Sequence, residues 1–240
     1  MVNDSRRLEI AGNLAKVKAE IKSACKAAGR DPKAVKLIAV SKNFPASDVE
    51  GAILAGQLDF GENRVQELVP KIDALAGHPE LNWHLIGTLQ RNKVKFVTGR
   101  VAMIHSANTV RLIAQIDRLS EANQCITDVL LQVNISGEDT KFGFDPSELD
   151  EAFQQTLKSY PAVRIRGLMT MAPHYDNPDD TLPVFRTAKE LLTLYREKYD
   201  LEDMDQLSMG MTHDFKQAIA CGSTMIRIGT AIFGARDYSQ

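Results

Sequence analysis

The sequence predicts an α/β fold, a single (β/α)8 TIM barrel with an extra N-terminal helix, spanning residues 1–240 as one domain. Three observations lead there. Short apolar runs alternate with helical patterns eight times, as parallel βαβ units require. The eight units occupy roughly 210 residues, a fit to a compact barrel of this kind. No linker, low-complexity segment or shift in composition divides the chain. A doubly wound open sheet is the alternative, but it usually has fewer strands and often a glycine-rich first turn, which is absent here.

The elements follow in order. A first helix covers roughly 5–29, closed by Gly29 and the Asp31-Pro32 turn. Strand-like runs then stand at KLIAVS (36–41), LDFG (58–61), NWHLI (82–86) and VAMIH (101–105). Four more follow at DVLLQVN (128–134), VRIRGLM (163–169), QLSM (206–209) and MIRIG (225–229). Helical patterns fill the gaps at 46–56, 63–76, 88–98, 109–122, 146–159, 179–198 and 213–221.

Composition removes several classes of function. Hydrophobic residues at 44% and charged residues at 25% describe a soluble globular chain able to bury a large core. A net charge of −2 gives no electrostatic reason to expect nucleic acid or an anionic membrane as partner. No apolar run approaches the roughly 18 residues of a membrane span, and MVNDSRRLEIAGNLAKVKAEI is too polar for a signal peptide. Cys25, Cys125 and Cys221 lie far apart without metal or redox spacing, so they read as reduced thiols of a cytoplasmic protein. The five histidines form no metal signature, and no metal is expected.

Barrels of this class do chemistry at the C-terminal mouth, so the strand ends carry the functional reading. Those ends supply Lys42, Glu62-Asn63, His84, His105-Ser106-Asn108, Asn134, Met169-Thr170, Ser208 and Arg227-Gly229-Thr230. Lys42 follows the buried run Leu37 to Val40; it is either a solvated strand end or an amine aimed into a pocket. The loops after strands seven and eight, LSMGMTHDF (207–215) and RIGTAIFGA (227–235), stand where barrels often bind phosphate. Gly229 lets the backbone approach a ligand, Thr230 adds a hydroxyl and an N–H, and Ser208 with Gly210 offers similar chemistry. Two ordinary turns with Thr212 as a helix cap would explain the same residues. Arg227 faces opposite to Ile226 and Ile228, into the mouth or outward under a helix, and needs an acceptor if buried. An imine-forming lysine, a phosphate site and a buried arginine together suit a phosphorylated aldehyde, or a ketose phosphate handled by a Schiff-base aldolase.

The blocks AVSKNFP (39–45), FGENRVQE (60–67), WHLIGTLQRNK (83–93), GLMTMAP (167–173), LSMGMTHDF and RIGTAIFGAR (227–236) carry a resemblance. In order and in register, they resemble the pyridoxal 5′-phosphate (PLP) homeostasis proteins, the YggS/PROSC-like family, over essentially the whole chain. One departure is Thr212, where many members have serine. The family in turn resembles the barrel domain of alanine racemase and other fold-type III PLP enzymes. The resemblance implies that Lys42 carries PLP as an aldimine, and that Ser208, Gly210, Gly229 and Thr230 surround the phosphate. It also implies that Arg227 faces the pyridine nitrogen, while Asn63, His84, Asn134 and Met169 line the ring or the mouth.

An arginine at the ring nitrogen weakens the electron sink that PLP enzymes exploit. The racemase's second domain, with its tyrosine acid/base, has no counterpart before Gln240. The resemblance therefore implies a PLP carrier or buffer acting in vitamin B6 and amino-acid homeostasis, without turnover of its own. A small PLP-dependent racemase is the alternative. Apo PLP-dependent enzymes are the partners such a carrier would serve, and a monomer is the expected state. The basic stretch Gln90 to Lys95 is either a partner-docking patch or a solvated helix start.

Overall fold

The computed structural model describes residues 4–138 and 142–234. The Ala235-Arg236 end of the last matching block lies outside them. The strands are β1 (Lys36–Val40), β2 (Asp59–Glu62), β3 (Asn82–Leu85), β4 (Met103–Ala107), β5 (Thr127–Gln132), β6 (Val163–Met169), β7 (Gln206–Ser208) and β8 (Met225–Ile228). All pair in parallel and in chain order, and β8 closes back on β1 with Lys36 opposite Met225 and Ala39 opposite Ile228. The (β/α)8 barrel is therefore present.

The short apolar runs form strands because both faces find apolar partners. Leu37, Ala39, Phe60, Trp83 and Leu85 face outward into the layer between sheet and helices. Ile38, Met103, Leu130, Met169 and Met225 form a separate cluster inside the barrel, with Met171 packed against it. Flexible methionines fill this irregular interior, so the barrel is plugged and any ligand must sit above the plug.

The helices are α1 (Asp4–Ala27), α2 (Ala46–Leu54), α3 (Val65–Ala74), α4 (Val110–Ala122), α5 (Leu149–Ser159), α6 (Leu182–Lys198), α7 (Phe215–Ala220) and α8 (Thr230–Phe233). The extra helix α1 buries Ile10, Leu14, Val17, Ile21 and Cys25, a stripe spaced three and four residues apart. It packs on α2, α7 and α8. Arg6 donates to Phe233 O at 2.7 Å and to Asp48 Oδ2 at 2.7 Å, and Asn13 Nδ2 donates to Ile232 O at 3.1 Å. The four-residue α8 leaves a gap in the helical ring, and α1 fills it while satisfying the last carbonyls of α8. Among the described residues no helix is long and apolar enough to cross a membrane, and no cluster of three or more His, Cys, Asp or Glu could hold a metal ion.

Two elements depart from the sequence reading in ways that matter. The segment expected as a helix over 88–98 is a 3-10 turn, Arg91–Phe96. Val94 inside it and Val97 at its C-terminal cap are both buried and three residues apart, which suits three residues per turn. Lys93 and Lys95 of the basic stretch lie over the Phe96 ring, at 5.9 and 5.0 Å from its centroid. The second departure is β4, which begins at Met103 and runs to Ala107 instead of occupying 101–105. Ala102 N donates to Trp83 O before the strand starts, and the ladder opens with Met103 opposite His84. His105 is thereby drawn from the rim into the barrel.

Candidate functional site

A cavity of about 180 Å³ opens at the C-terminal end of the barrel. Its polar lining is Lys42, Asn63, Thr212, Arg227 and Thr230, with Gly229 between the last two; Phe44, Ile86, Met171 and Met211 supply apolar walls. Period-two alternation explains the first of these: Ile38, Val40 and Lys42 share the inward side of β1, and the third clears the plug. A wider groove of about 660 Å³ lies at the opposite end, around Lys36, Arg196, Glu197 and Asp205. It carries both signs of charge and sits at the end of the barrel where conserved chemistry is not built.

The turn that presents Lys42 is held from behind. Ser41 N donates to Gly61 O at 3.0 Å, so the ladder extends one residue past β1. Asn43 is left-handed at φ 66, and its N–H donates to Glu67 Oε2 at 2.7 Å. Beneath the turn, Ser41 Oγ donates to Glu62 Oε1 at 2.7 Å, and Lys71 Nζ donates to Ser41 O at 2.8 Å. Lys71 also forms an ion pair with Glu62, whose side chain is fully buried. Burial raises the Glu62 carboxyl above its ordinary range, against the opposing pull of Lys71. Glu62 Oε2 is buried with no hydrogen-bond partner.

Arg227 is the other charged wall. Register places it opposite Ile38, its side chain is buried, and it points into the barrel mouth instead of under a helix. Nη1 donates to Ser208 Oγ at 2.6 Å and Nη2 to Thr170 O at 3.1 Å. Burial lowers its pKa to about 10, with Asp214 opposing. Both acceptors, a hydroxyl and a backbone carbonyl, are neutral, so the guanidinium meets no carboxylate by direct hydrogen bond at the cavity wall.

The structure brings Lys42, Asn63, Arg227, Gly229 and Thr230 together and places the other five expected residues elsewhere. His84 lies inside the barrel, with Nε2 3.2 Å from Asp59 Oδ1 and Nδ1 3.0 Å from His105 Nε2. Ser208 faces the same interior; its Oγ is 2.9 Å from His105 Nδ1 as well as accepting from Arg227. Met169 belongs to the plug. Asn134 lies beyond the end of β5, where its Nδ2 donates to Glu138 O at 3.0 Å and its Oδ1 accepts from Ser136. Gly210 shapes the backbone: at φ +93, a Cβ would fall 2.5 Å from Ala218 Cβ, and its carbonyl accepts from Arg227 N at 3.0 Å. At Gly229 a Cβ would approach Val40 O to 3.0 Å, so glycine there lets β8 exit against β1.

Thr212 is the polar lining residue that sequence reasoning passed over as a helix cap. The capping position of α7 is Asp214, which accepts from Met211 N at 2.6 Å, and Thr212 is left to face the cavity. The signal was its place in LSMGMTHDF, two residues after the left-handed Gly210.

Residues 12–237 match the alanine racemase N-terminal domain. The pyridoxal phosphate homeostasis protein of Escherichia coli K12 is 42% identical over 236 residues, which cover 97% of this chain and 99% of that protein. This chain belongs to that family. The family's Aquifex aeolicus homologue is 42% identical over 94% of this chain and 97% of its own length. PipY of Synechococcus elongatus, solved with PLP bound, superposes with a TM-score of 0.83 at 36% identity, covering 94% of this chain and 100% of PipY. Alanine racemase of Clostridium difficile shares the fold at 13% identity, with a TM-score of 0.72 over 58% of the racemase chain.

Proposed function

We propose that this member of the pyridoxal phosphate homeostasis family binds PLP in the mouth cavity and holds it for delivery to apo PLP-dependent enzymes, without turning over amino acids. The observation that carries the reading is the lining: an amine, a guanidinium, an amide and two threonine hydroxyls, with no carboxylate among the described residues. That set fits an anionic ligand bearing an aldehyde. Lys42 would hold the aldehyde carbon, and Thr230 and Thr212 with the backbone at Gly229 would take the phosphate. Arg227 would face the ring nitrogen, and Asn63, Ile86 and Met171 would flank the ring. Bound there, PLP supplies an electrophilic aldehyde on an electron-withdrawing ring. Arg227 can donate but does not give up its proton, so it would favour an unprotonated ring nitrogen.

The absence of turnover is supported by what can move a proton in the cavity. Racemisation needs acid/base groups on opposite faces of the substrate carbon. Lys42 would serve one face. Among the described residues the lining contains no tyrosine, histidine, cysteine or carboxylate for the other. His84 and His105 are 2% and 0% exposed and bond to each other inside the barrel, away from the cavity lining.

Borohydride treatment of the PLP-loaded protein, followed by peptide mapping, tests the site: the phosphopyridoxyl group should be fixed on Lys42 and on no other lysine. An adduct elsewhere refutes the assignment. In deuterated buffer the loaded protein should exchange no α-proton of alanine or serine beyond the free-PLP background, yet release PLP to an apoenzyme. Exchange well above background makes it a small racemase-like enzyme.

A further inference from the structure

The interior of the barrel is polar along one line. Lys36 Nζ lies 3.0 Å from Asp59 Oδ1, and Asp59 Oδ1 lies 3.2 Å from His84 Nε2. His84 Nδ1 is 3.0 Å from His105 Nε2, His105 Nδ1 is 2.9 Å from Ser208 Oγ, and Ser208 Oγ is 2.6 Å from Arg227 Nη1. Six side chains from β1, β2, β3, β4, β7 and β8 thus run from the N-terminal end of the barrel to the wall of the cavity. His84, His105, Ser208 and Arg227 are each at most 4% exposed.

The two ends determine every proton between them. Arg227 only donates, and an ionised Asp59 only accepts. Asp59 is held below the ordinary carboxylate range by His84 and Lys36, which outweigh its own burial. Burial lowers the pKa of both histidines, so each is neutral and carries one ring proton at neutral pH. His84 Nε2–H therefore donates to Asp59, which leaves Nδ1 to accept from His105 Nε2–H. His105 Nδ1 then accepts the Ser208 O–H, and the Ser208 oxygen accepts from Arg227. All four bonds point the same way.

We infer that Asp59, His84, His105 and Ser208 are positioning residues for Arg227, a one-directional hydrogen-bond chain that fixes its guanidinium and offers it the Asp59 carboxylate as a remote counter-charge across the barrel. With its single proton given to His105, Ser208 keeps a lone pair aimed at Nη1 and has no hydroxyl donor left for a phosphate. The chain breaks when a proton enters it. A cationic His84 donates from both nitrogens, which drives the His105 proton to Nδ1 and removes the acceptor for the Ser208 hydroxyl. The charged groups facing this path are Asp59 and Lys36 at one end and Arg227 at the other, with Asp214 acting on Arg227.

The first measurement needs no ligand. In histidine-15N-labelled protein at pH 7, two-bond nitrogen–proton spectra should show His84 and His105 both protonated at Nε2 and bare at Nδ1. A cationic ring, or either ring protonated at Nδ1, overturns the chain. The second measurement rests on the PLP reading above and uses two probes, PLP and its 1-deaza analogue, which lacks the ring nitrogen. Ser208→Ala leaves a charged donor without its acceptor, so PLP affinity should fall about ten-fold while affinity for the analogue changes less than about two-fold. His105→Leu should act likewise, and His105→Gln, which can both accept and donate, should recover most of the loss. Equal losses for both probes would mean that the chain supports only the fold, and the positioning role falls. If the wild-type protein binds neither probe, the PLP reading fails, and the tautomer spectra decide the chain alone.

Discussion

Replacing Lys71 by methionine would remove the counter-charge from a carboxylate that has nowhere else to turn. Glu62 is 0% exposed, one oxygen accepts from Ser41 and Lys71, and the other has no hydrogen-bond partner among the described residues. Removing one member of such a buried pair costs about 3–5 kcal/mol, because the remaining charge keeps its desolvation penalty. For a domain of this size each kcal/mol is worth roughly 2–4 °C, so the melting temperature should fall on the order of 10 °C. The loss should depend on pH with a definite sign. Burial already raises the Glu62 pKa in the folded state above its ordinary 4.5. Without Lys71 it rises further, so the native state binds a proton that the unfolded state releases, and the variant's stability declines as pH rises through that window. Thermal unfolding of Lys71→Met and wild type at pH 5 and pH 8 should therefore show the larger deficit at pH 8. Adding Glu62→Gln should recover most of it, since a neutral amide still accepts from Ser41. A deficit under about 1 kcal/mol at pH 8, or one equal at both pH values, would refute the argument. Because Lys71 also holds Ser41 O, PLP affinity should fall together with stability.

Thr230→Val keeps the shape of the cavity but removes a hydroxyl; PLP affinity should fall about ten-fold and pyridoxal affinity barely move, with equal losses placing the phosphate elsewhere. Gly210→Ala forces a Cβ toward Ala218 at a left-handed position and should cost at least about 2 kcal/mol by chemical denaturation. It should also disturb the strand entry of Arg227, read as weaker PLP binding. The depressed pKa values of His84 and His105 mean that below their ordinary 6.5 the unfolded state binds more protons than the native state. Stability should therefore be lost as pH falls from about 6.5, and His105→Leu should show a shallower fall in unfolding free energy over pH 7 to 5.

The barrel and its mouth were legible in the sequence because both rest on local patterns. Eight apolar runs, each too short for a helix, with seven helical patterns between them, leave few arrangements other than a closed parallel sheet. The pleat allowed a lysine two residues past Val40 and an arginine between two isoleucines either of two directions, and closure of the sheet turned both to the mouth. Tertiary structure alone decided depth and partnership. Moving β4 by two residues shifts His105 by about 6.6 Å along the barrel, the difference between rim and interior. The partners of these polar groups are also remote in sequence: His84 and His105 are 21 residues apart, and His105 and Ser208 are 103 apart. A polar residue at a strand end reads the same whether water, a ligand or another buried side chain satisfies it. Only closure of the sheet brought Ser208 under Arg227, left Thr212 to the cavity, and set Glu62 and Lys71 beneath the turn of Lys42.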